Sequence, residues 1–210
     1  MKLTKEQAAE KYPGGKFCGE GVYYIDLDAV VGSGTRIESG VVIESGAHIE
    51  YDTFIGASVH IKSDAVIGAS ALIGSGAHIG SDAFIGSGVV IGSEAVIGSG
   101  AVIEPGVYVG SGVTIRSGAC ISPAAVIESG AYIGSGRKGV KNALVLNGLG
   151  ETKQMTAHDS SNGLIIVIGC LNDHKGVSLE EAKTAISKKY PDSHPYFAAL
   201  KLAQTWYESL

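Results

Sequence analysis

Three histidines offer the clearest chemistry in this 210-residue sequence, because an aspartate follows each of them at the same spacing. The histidines are His48, His60 and His78, and the aspartates four residues later are Asp52, Asp64 and Asp82. A carboxylate that fixes the tautomer of an imidazole leaves the other ring nitrogen free to take a proton from a hydroxyl or an amine. The pattern therefore indicates a general base, with His78 and Asp82 as the first choice and His60 or His48 as substitutes. In the alternative interpretation, Asp favours a corner and His a strand edge, without any contact between them.

The elements that position these histidines follow from a six-residue repeat. A branched aliphatic residue occupies every sixth position from Ile25 to Ile133, nineteen times in succession, and a small residue lies four positions after it, as in Ala65 and Ala77. This period fits neither an amphipathic helix nor a long strand. It predicts short strands joined by tight corners, where Gly-Ser-Gly segments supply the positive φ angles. Three hexads close a triangular coil, so nineteen hexads predict just over six coils, about 30 Å long at ~4.8 Å per coil.

The residue before each aliphatic position is predicted to point outward, on the opposite side of the strand. Stacking coils of 18 residues sorts these outward residues into three columns. The columns are Val30, His48, Val66, Phe84, Val102 and Cys120; Arg36, Phe54, Leu72, Val90, Tyr108 and Val126; and Val42, His60, His78, Val96, Thr114 and Tyr132. His60 and His78 are therefore predicted to stack one coil apart. Because such apolar rows exceed the patches that a monomer usually exposes, we expect the chain to associate.

Units such as IGSGAH, IGSDAF, IGSGVV and IGSEAV, within residues 25–136, resemble the hexapeptide repeat of left-handed parallel β-helix proteins. The resemblance implies an all-β left-handed parallel β-helix. It also implies a homotrimeric acyltransferase that uses acyl-CoA or an acyl carrier protein, since most members of the family have this activity. A minority of the family are γ-class carbonic anhydrases or non-catalytic proteins. Many family enzymes interrupt the repeat with a loop that reaches over a neighbouring subunit, whereas no hexad is interrupted here.

Basic residues near the last coils are candidates to hold the phosphates of acyl-CoA, the co-substrate that the resemblance implies. These residues are Arg116, Arg137, Lys138 and Lys141. A pantetheine arm would then run along an inter-subunit groove to a base two or three coils away, about 10 to 15 Å. In the alternative interpretation, the same residues form a solvated basic linker.

A zinc site is the second chemistry that the histidines suggest, because γ-class carbonic anhydrases bind zinc through three histidines at a trimer cleft. Those enzymes pair two histidines five residues apart. The spacings here are 12 and 18 residues, and two stacked imidazoles supply only half of a usual zinc ligand set. We therefore expect no metal.

Two other segments flank the repeat. Residues 1–24 are predicted as a helix and a lead-in, with Thr4 and Gln7 forming a capping box. Residues 137–210 are predicted as a small α+β module, with strands at 143–147, 152–158 and 164–170, a hairpin turn at 161–163, and helices opening at Ser178 and near Pro195. The GC-L and G-V-S-L-E-E segments of this module, followed by Tyr190 and a terminal helix, resemble a module of uncharacterised phage-encoded proteins.

Charge, hydrophobicity and cysteine spacing limit the classes of partner and the cellular compartment that we expect for this protein. The net charge of −5 and the absence of a basic run argue against nucleic acid. No apolar run has the length of a membrane span and the N-terminus does not resemble a signal peptide, so we expect no membrane partner. Three widely spaced cysteines, Cys18, Cys120 and Cys170, fit a reducing compartment. We expect a cytoplasmic protein.

Two functions of different classes remain open. The first is an acyl-CoA-dependent acyltransferase with a histidine base in an inter-subunit cleft. The second is a non-catalytic trimer that either binds or sequesters a small ligand in its clefts or serves as a rigid structural scaffold. A phage-encoded scaffold is one form of this second function. The support for the second function is the uninterrupted repeat and the absence of a covering loop.

Overall fold

The computed structural model describes residues 2–134, 140–147, 154–159, 163–168, 177–189 and 195–208. They form a prism of stacked short strands, preceded by an N-terminal cap and followed by a small α+β unit. The helices are α1 (Lys5–Lys11), α2 (Leu179–Lys189) and α3 (Pro195–Glu208). None of the helices in these ranges is long and apolar enough to cross a membrane.

The strands are short and evenly spaced along most of the chain. In chain order they are β1 (Lys2–Leu3), β2 (Lys16–Phe17), β3 (Tyr23–Ile25), β4 (Val30–Val31), β5 (Arg36–Ile37), β6 (Val42–Ile43), β7 (His48–Ile49), β8 (Phe54–Ile55), β9 (His60–Ile61), β10 (Val66–Ile67), β11 (Leu72–Ile73), β12 (His78–Ile79), β13 (Phe84–Ile85), β14 (Val90–Ile91), β15 (Val96–Ile97), β16 (Val102–Ile103), β17 (Tyr108–Val109), β18 (Thr114–Ile115), β19 (Cys120–Ile127), β20 (Tyr132–Ile133), β21 (Val140–Asn147), β22 (Gln154–His158), β23 (Ile165–Ile168) and β24 (Val177–Ser178).

Strands 18 residues apart pair in parallel, which makes each coil three hexads long. On one face β3, β6, β9, β12, β15, β18 and β20 follow one another as seven hydrogen-bonded neighbours. Ile61 lies opposite Ile79, and the N–H of His60 donates to the carbonyl oxygen of Ala77 at 3.0 Å. The predicted fold class, a left-handed parallel β-helix followed by a small α+β module, is confirmed.

The interior is apolar because nearly every hexad contributes one large and one small apolar side chain. The inward aliphatic residues from Ile37 to Ile133 are at most 1% exposed, and alanines such as Ala65 and Ala77 are fully buried beside them. Threonine replaces the small apolar residue in two hexads, at Thr35 and Thr53. The Thr35 hydroxyl donates to the carbonyl oxygen of Glu50 at 3.1 Å. The Thr53 hydroxyl donates to the same oxygen at 3.0 Å, so both buried hydroxyls have a partner.

The corners hold the backbone in the left-handed region. Glycine occupies many of them, as at Gly100 (φ 63°), but Asp64 (φ 59°) and Glu94 (φ 59°) occupy others. L-residues visit this region rarely, and Asp is among the side chains that tolerate it best. The corner composition of the repeat therefore reflects backbone geometry.

The N-terminal segment closes the first coil. β1 pairs with β3 in antiparallel fashion, and α1 begins with the predicted capping box between Thr4 and Gln7. The Tyr12 hydroxyl donates to the carbonyl oxygen of Asp26 at 3.0 Å. These contacts cover an end of the prism that would otherwise expose unpaired strand edges.

At the other end, β19 runs through a corner and pairs with β21, from which β22, β23 and β24 continue as an antiparallel sheet. Buried side chains of α2 and α3, Ile186 and Leu200 among them, pack with Ile166 of β23. Within the described residues, strands β21, β22 and β23 and helices α2 and α3 lie where the sequence predicted the strands and helices of this module. The predicted turn residues 161 and 162 and the predicted domain boundary after residue 136 lie outside the described residues, so the boundary stays a prediction.

Candidate active site

One face of the prism brings two of the three candidate histidines together. His60 of β9 and His78 of β12 are paired residues on neighbouring coils, with their ring centroids 6.0 Å apart and their planes inclined by 54°. The predicted stacking of these two side chains is confirmed. His48 lies in β7, which stacks with β4 and β10 in a different column. The separation of His48 from the other two histidines agrees with the columns predicted from the 18-residue coil.

The carboxylate beside His60 is Glu44, from the coil below. Oε1 of Glu44 lies 2.6 Å from Nε2 of His60. The second oxygen, Oε2, accepts hydrogen bonds from the N–H and the hydroxyl of Ser63, at 3.2 and 3.0 Å. The His60 and Glu44 side chains are 31% and 37% exposed, so the pair is fixed in place and still open to solvent.

The electrostatics of the pair follow from these contacts. The hydrogen bond with His60, together with those from Ser63, holds the pKa of Glu44 below its ordinary value. Glu44 is therefore ionised at neutral pH and accepts only. A histidine nitrogen that faces an ionised carboxylate carries a proton, and in the neutral tautomer of the ring the lone pair is then on the other nitrogen.

In the described part of the chain, none of the three candidate histidines forms a hydrogen bond or ion pair with the aspartate four residues later, in line with the alternative interpretation in which Asp favours a corner. Asp52, Asp64 and Asp82 all occupy corners with φ between 54° and 59°. In that conformation the carboxylate of Asp64 is directed along the corner towards Gly46 of the coil below. No hydrogen bond or ion pair joins Asp82 to His78 among the residues that the structure describes, and the same holds for Asp64 and His60.

Sequence reasoning missed Glu44, although a signal for it exists. Glu44 follows Ile43 as Lys62 follows Ile61, so the two residues occupy equivalent positions on successive coils. The side chain of Glu44 reaches the neighbouring coil diagonally, over a sequence separation of 16 residues. A search for carboxylates 16 residues before each histidine, which is two residues less than one coil, would have found Glu44.

A groove with a volume of about 430 Å³ runs along the same face above His60. His78 and Lys62 line its lower end, and Thr114, Arg116 and Ser117 line its upper end. Gly80 and Gly98 also line the groove and add no side chain to it. Arg116, which was predicted to bind the cofactor, is thus on the same face as the histidine pair. Arg137 and Lys138 lie outside the described residues.

Within the described ranges, no group of three or more His, Cys, Asp or Glu side chains has a geometry that could hold a metal ion. This face carries imidazole, carboxylate, ammonium and guanidinium groups, from His60 and His78, Glu44, Lys62 and Arg116. The arrangement can take up a proton at His60 and can attract an anion in the groove.

The outward columns of the other faces carry large exposed apolar side chains. Leu72 is 43% exposed, Phe84 41%, Tyr108 49% and Val126 48%. These side chains stand in the rows that the sequence predicted, since Leu72, Tyr108 and Val126 belong to one column. Rows of this kind are suited to protein–protein contact.

Sequence comparison finds one family match, and it falls within the prism. Residues 76–111 and 88–123 match the family model described as bacterial transferase hexapeptide (six repeats). The matched segment includes His78 and Arg116 and begins after His60. No curated protein matches the chain.

Solved structures similar to this chain include three transferases or transferase-family proteins. A hexapeptide transferase family protein from Anaplasma phagocytophilum is 16% identical over 59% of this chain and 76% of its own, with a TM-score of 0.39. The acetyltransferase domain of PglB from Neisseria gonorrhoeae, in complex with acetyl coenzyme A, is 25% identical over 60% of this chain and 54% of its own, with a TM-score of 0.30. A UDP-N-acetylglucosamine acyltransferase from Bacteroides fragilis is 16% identical over 86% of this chain and 79% of its own, with a TM-score of 0.37. The alignment with PglB thus spans about half of that chain.

Proposed function

We propose that this left-handed β-helix protein, whose residues 76–111 and 88–123 match the hexapeptide transferase model, is an acyl-CoA-dependent acyltransferase. The observation that carries the proposal is the contact between Nε2 of His60 and Oε1 of Glu44, 2.6 Å long, beside a groove that is lined by basic residues. Acyl transfer needs a base that is oriented by the protein and accessible to the acceptor. The pair formed by His60 and Glu44 meets both requirements.

His60 acts as the general base in this proposal. Glu44 keeps the proton on Nε2, so Nδ1 takes the proton from the hydroxyl or amine of the acceptor as that group attacks. The imidazolium formed in this way is stabilised by the adjacent carboxylate. His60 then returns the proton to the leaving sulfur, which restores the neutral imidazole. Acyl-CoA supplies the activated thioester, whose carbon–sulfur bond breaks as the new bond to the acceptor forms.

His78, the base first expected from the sequence, receives a different role. It lines the groove one coil above His60, and it forms no hydrogen bond or ion pair with a carboxylate in the described part of the chain. A histidine with no partner to fix its tautomer is a weaker candidate for the base. We assign it to substrate contact next to the reacting groups.

Arg116 is the residue of the described chain that fits the phosphates of acyl-CoA. It lies two coils above Gly80, which follows His78 by two residues, and two coils correspond to about 10 Å along the prism. A guanidinium binds phosphate oxygens in a bidentate manner. Arg137 and Lys138, which follow the last complete coil in the sequence, remain proposed partners of the same phosphates.

We further propose that the active assembly is a homotrimer. In a closed cyclic arrangement, each subunit would bury the exposed apolar columns that include Leu72, Tyr108 and Phe84 against its neighbours. A neighbouring subunit would also narrow the open groove and exclude water from the reacting groups. The acceptor in this proposal is a small molecule.

Kinetics with acetyl-CoA and a panel of small amines and alcohols, followed by release of the free thiol, tests the proposal. We expect His60→Asn to lower kcat/KM by about 10²- to 10⁴-fold, the range typical of general-base loss. Glu44→Gln should lower it by about tenfold or more, because the amide no longer fixes the tautomer. His48→Asn is the matched control from another column and should leave kcat/KM unchanged. A larger loss in His78→Asn than in His60→Asn would reassign the base.

A non-catalytic ligand-binding trimer is the second candidate, and the uninterrupted run of hexads from residue 25 to residue 134 favours it. No loop covers the groove within these residues. For such a protein, CoA or another small ligand would bind without turnover. His60→Asn would then change only the affinity for that ligand, by about 1–3 kcal/mol for one lost polar contact.

A further inference from the structure

The basic residues of the prism are concentrated in one groove. Residues 25–134 contain eleven acidic residues and three basic ones, Arg36, Lys62 and Arg116. Lys62 and Arg116 both line the groove described above, and no carboxylate lines it among the described residues. A groove of this charge in an otherwise acidic prism attracts a ligand that carries negative charge.

The ammonium group of Lys62 is available to such a ligand. Glu44 occupies the equivalent position one coil below. Oε1 of Glu44 is engaged by His60 and Oε2 by Ser63. Lys62 is exposed, and its side chain forms no hydrogen bond or ion pair within the ranges that the structure describes. All three of its N–H donors therefore remain free for a ligand.

Lys62 and Arg116 stand at different distances from the base. Lys62 follows His60 by two residues, so their Cα atoms are about 7 Å apart. Arg116 lies three coils above Lys62, about 14 Å along the prism. A group held by Lys62 is thus close to His60, where the hydroxyl or amine of the acceptor would lose its proton. A group held by Arg116 is at the far end of the groove.

We propose that Lys62 determines acceptor specificity by binding a negatively charged group of the acceptor, either a carboxylate or a phosphate. This inference rests on the proposed acyl transfer, because it assigns the two ends of the groove to the two substrates. Arg116 holds the phosphates of the acyl donor, and Lys62 holds the acceptor with its hydroxyl or amine at Nδ1 of His60.

Calorimetric titration with glycerol 3-phosphate, glycerate and glycerol tests the binding without requiring turnover. These probes share a hydroxyl and differ in the charged group, so the first two distinguish phosphate from carboxylate. We expect at least one of the two anions to bind about tenfold or more tightly than glycerol. Lys62→Met should abolish that difference and Lys62→Arg should restore most of it. Arg36→Met is the matched control, since Arg36 is the third basic residue of the prism and lies on another column beside Glu38 and Phe54.

Equal affinity of the wild-type protein for all three probes, or no binding of any, would overturn the assignment. An anion preference that survives Lys62→Met would overturn it as well. Acetyl-CoA turnover with the same three acceptors then separates the two proposals. Anion binding that depends on Lys62, without acetyl transfer to any acceptor, would refute the transferase and leave the anion site. Acetyl transfer that is as fast to glycerol as to the anions would refute the role of Lys62 and leave the transferase.

Discussion

Replacing Ile91 by aspartate probes the interior of the prism at the middle of the ladder. Ile91 is fully buried and is stacked between Ile73 and Val109. The substitution forfeits about 1.5–3 kcal/mol of apolar burial and places a carboxylate in an interior where desolvation costs several kcal/mol more. A total loss of about 5 kcal/mol or more is comparable to the whole stability of a typical domain. Because each coil contacts only its neighbours, the remaining coils cannot bypass the defect.

Thermal unfolding followed by circular dichroism measures this effect. A loss of about 5 kcal/mol corresponds to a decrease in Tm of roughly 10–20 °C for a chain of this size, and a larger loss leaves the chain unfolded. Burial raises the pKa of the introduced carboxyl, so the Ile91→Asp variant should regain stability as the pH falls from neutral towards about 4. The neutral Ile91→Asn variant should not show this gain.

The matched control is Ser93→Asp, which introduces the same charge two residues later at an exposed corner. Its effect should stay within about 0.5 kcal/mol. An unchanged Tm in Ile91→Asp, or an equal loss in Ser93→Asp, would refute the assignment of inward and outward positions on which the fold description depends.

Light scattering should give a mass about three times that of the 21.5 kDa chain, and a monomeric mass at micromolar concentration would contradict the proposed trimer. Because the pKa of Glu44 is lowered in the folded state, its stabilising contribution is present above the unfolded-state pKa and is lost as the pH falls through the folded-state pKa. Glu44→Gln should therefore weaken the dependence of Tm on pH between roughly pH 5 and pH 3, and an unaltered dependence would disprove the contribution. Gly88 has a φ of 66° and open space around its α-carbon, so Gly88→Ala should cost about 1–2 kcal/mol through backbone strain alone. Gly88→Asn should cost less, and equal losses in denaturant unfolding would argue against this cause.

The sequence predicted the prism because the repeat encodes it locally. Each hexad carries its own inward aliphatic residue, its small partner and its corner, so every coil specifies the same geometry as the next. The register between coils follows directly from the period, since Ile61 can pair with Ile79 only if three hexads form a coil. The N-terminal capping box was predictable for the same reason, because Thr4 and Gln7 interact within one helical turn.

The site was only partly predictable because its contacts cross between coils. The stacking of His60 and His78 follows from the 18-residue coil, and it was predicted. The pairing of His60 with Glu44 depends on a diagonal reach between coils, which a search at fixed local spacing does not detect. The aspartate at the fourth position looked like a local partner, but the left-handed corner conformation turns Asp64 along the edge of the prism. The groove exists partly because Gly80 and Gly98 have no side chains. In the sequence these two residues look like any other glycine of the repeat, so they do not indicate a groove.

A crystal structure of the protein with bound CoA tests the central claim most directly, because it shows which face of the prism holds the acyl donor. The account predicts the phosphates at Arg116 and the pantetheine arm along the groove lined by Gly98 and Gly80, with the sulfur close to His78 and His60. Density for CoA on either of the other two faces, or no density at saturating concentration, would contradict the account.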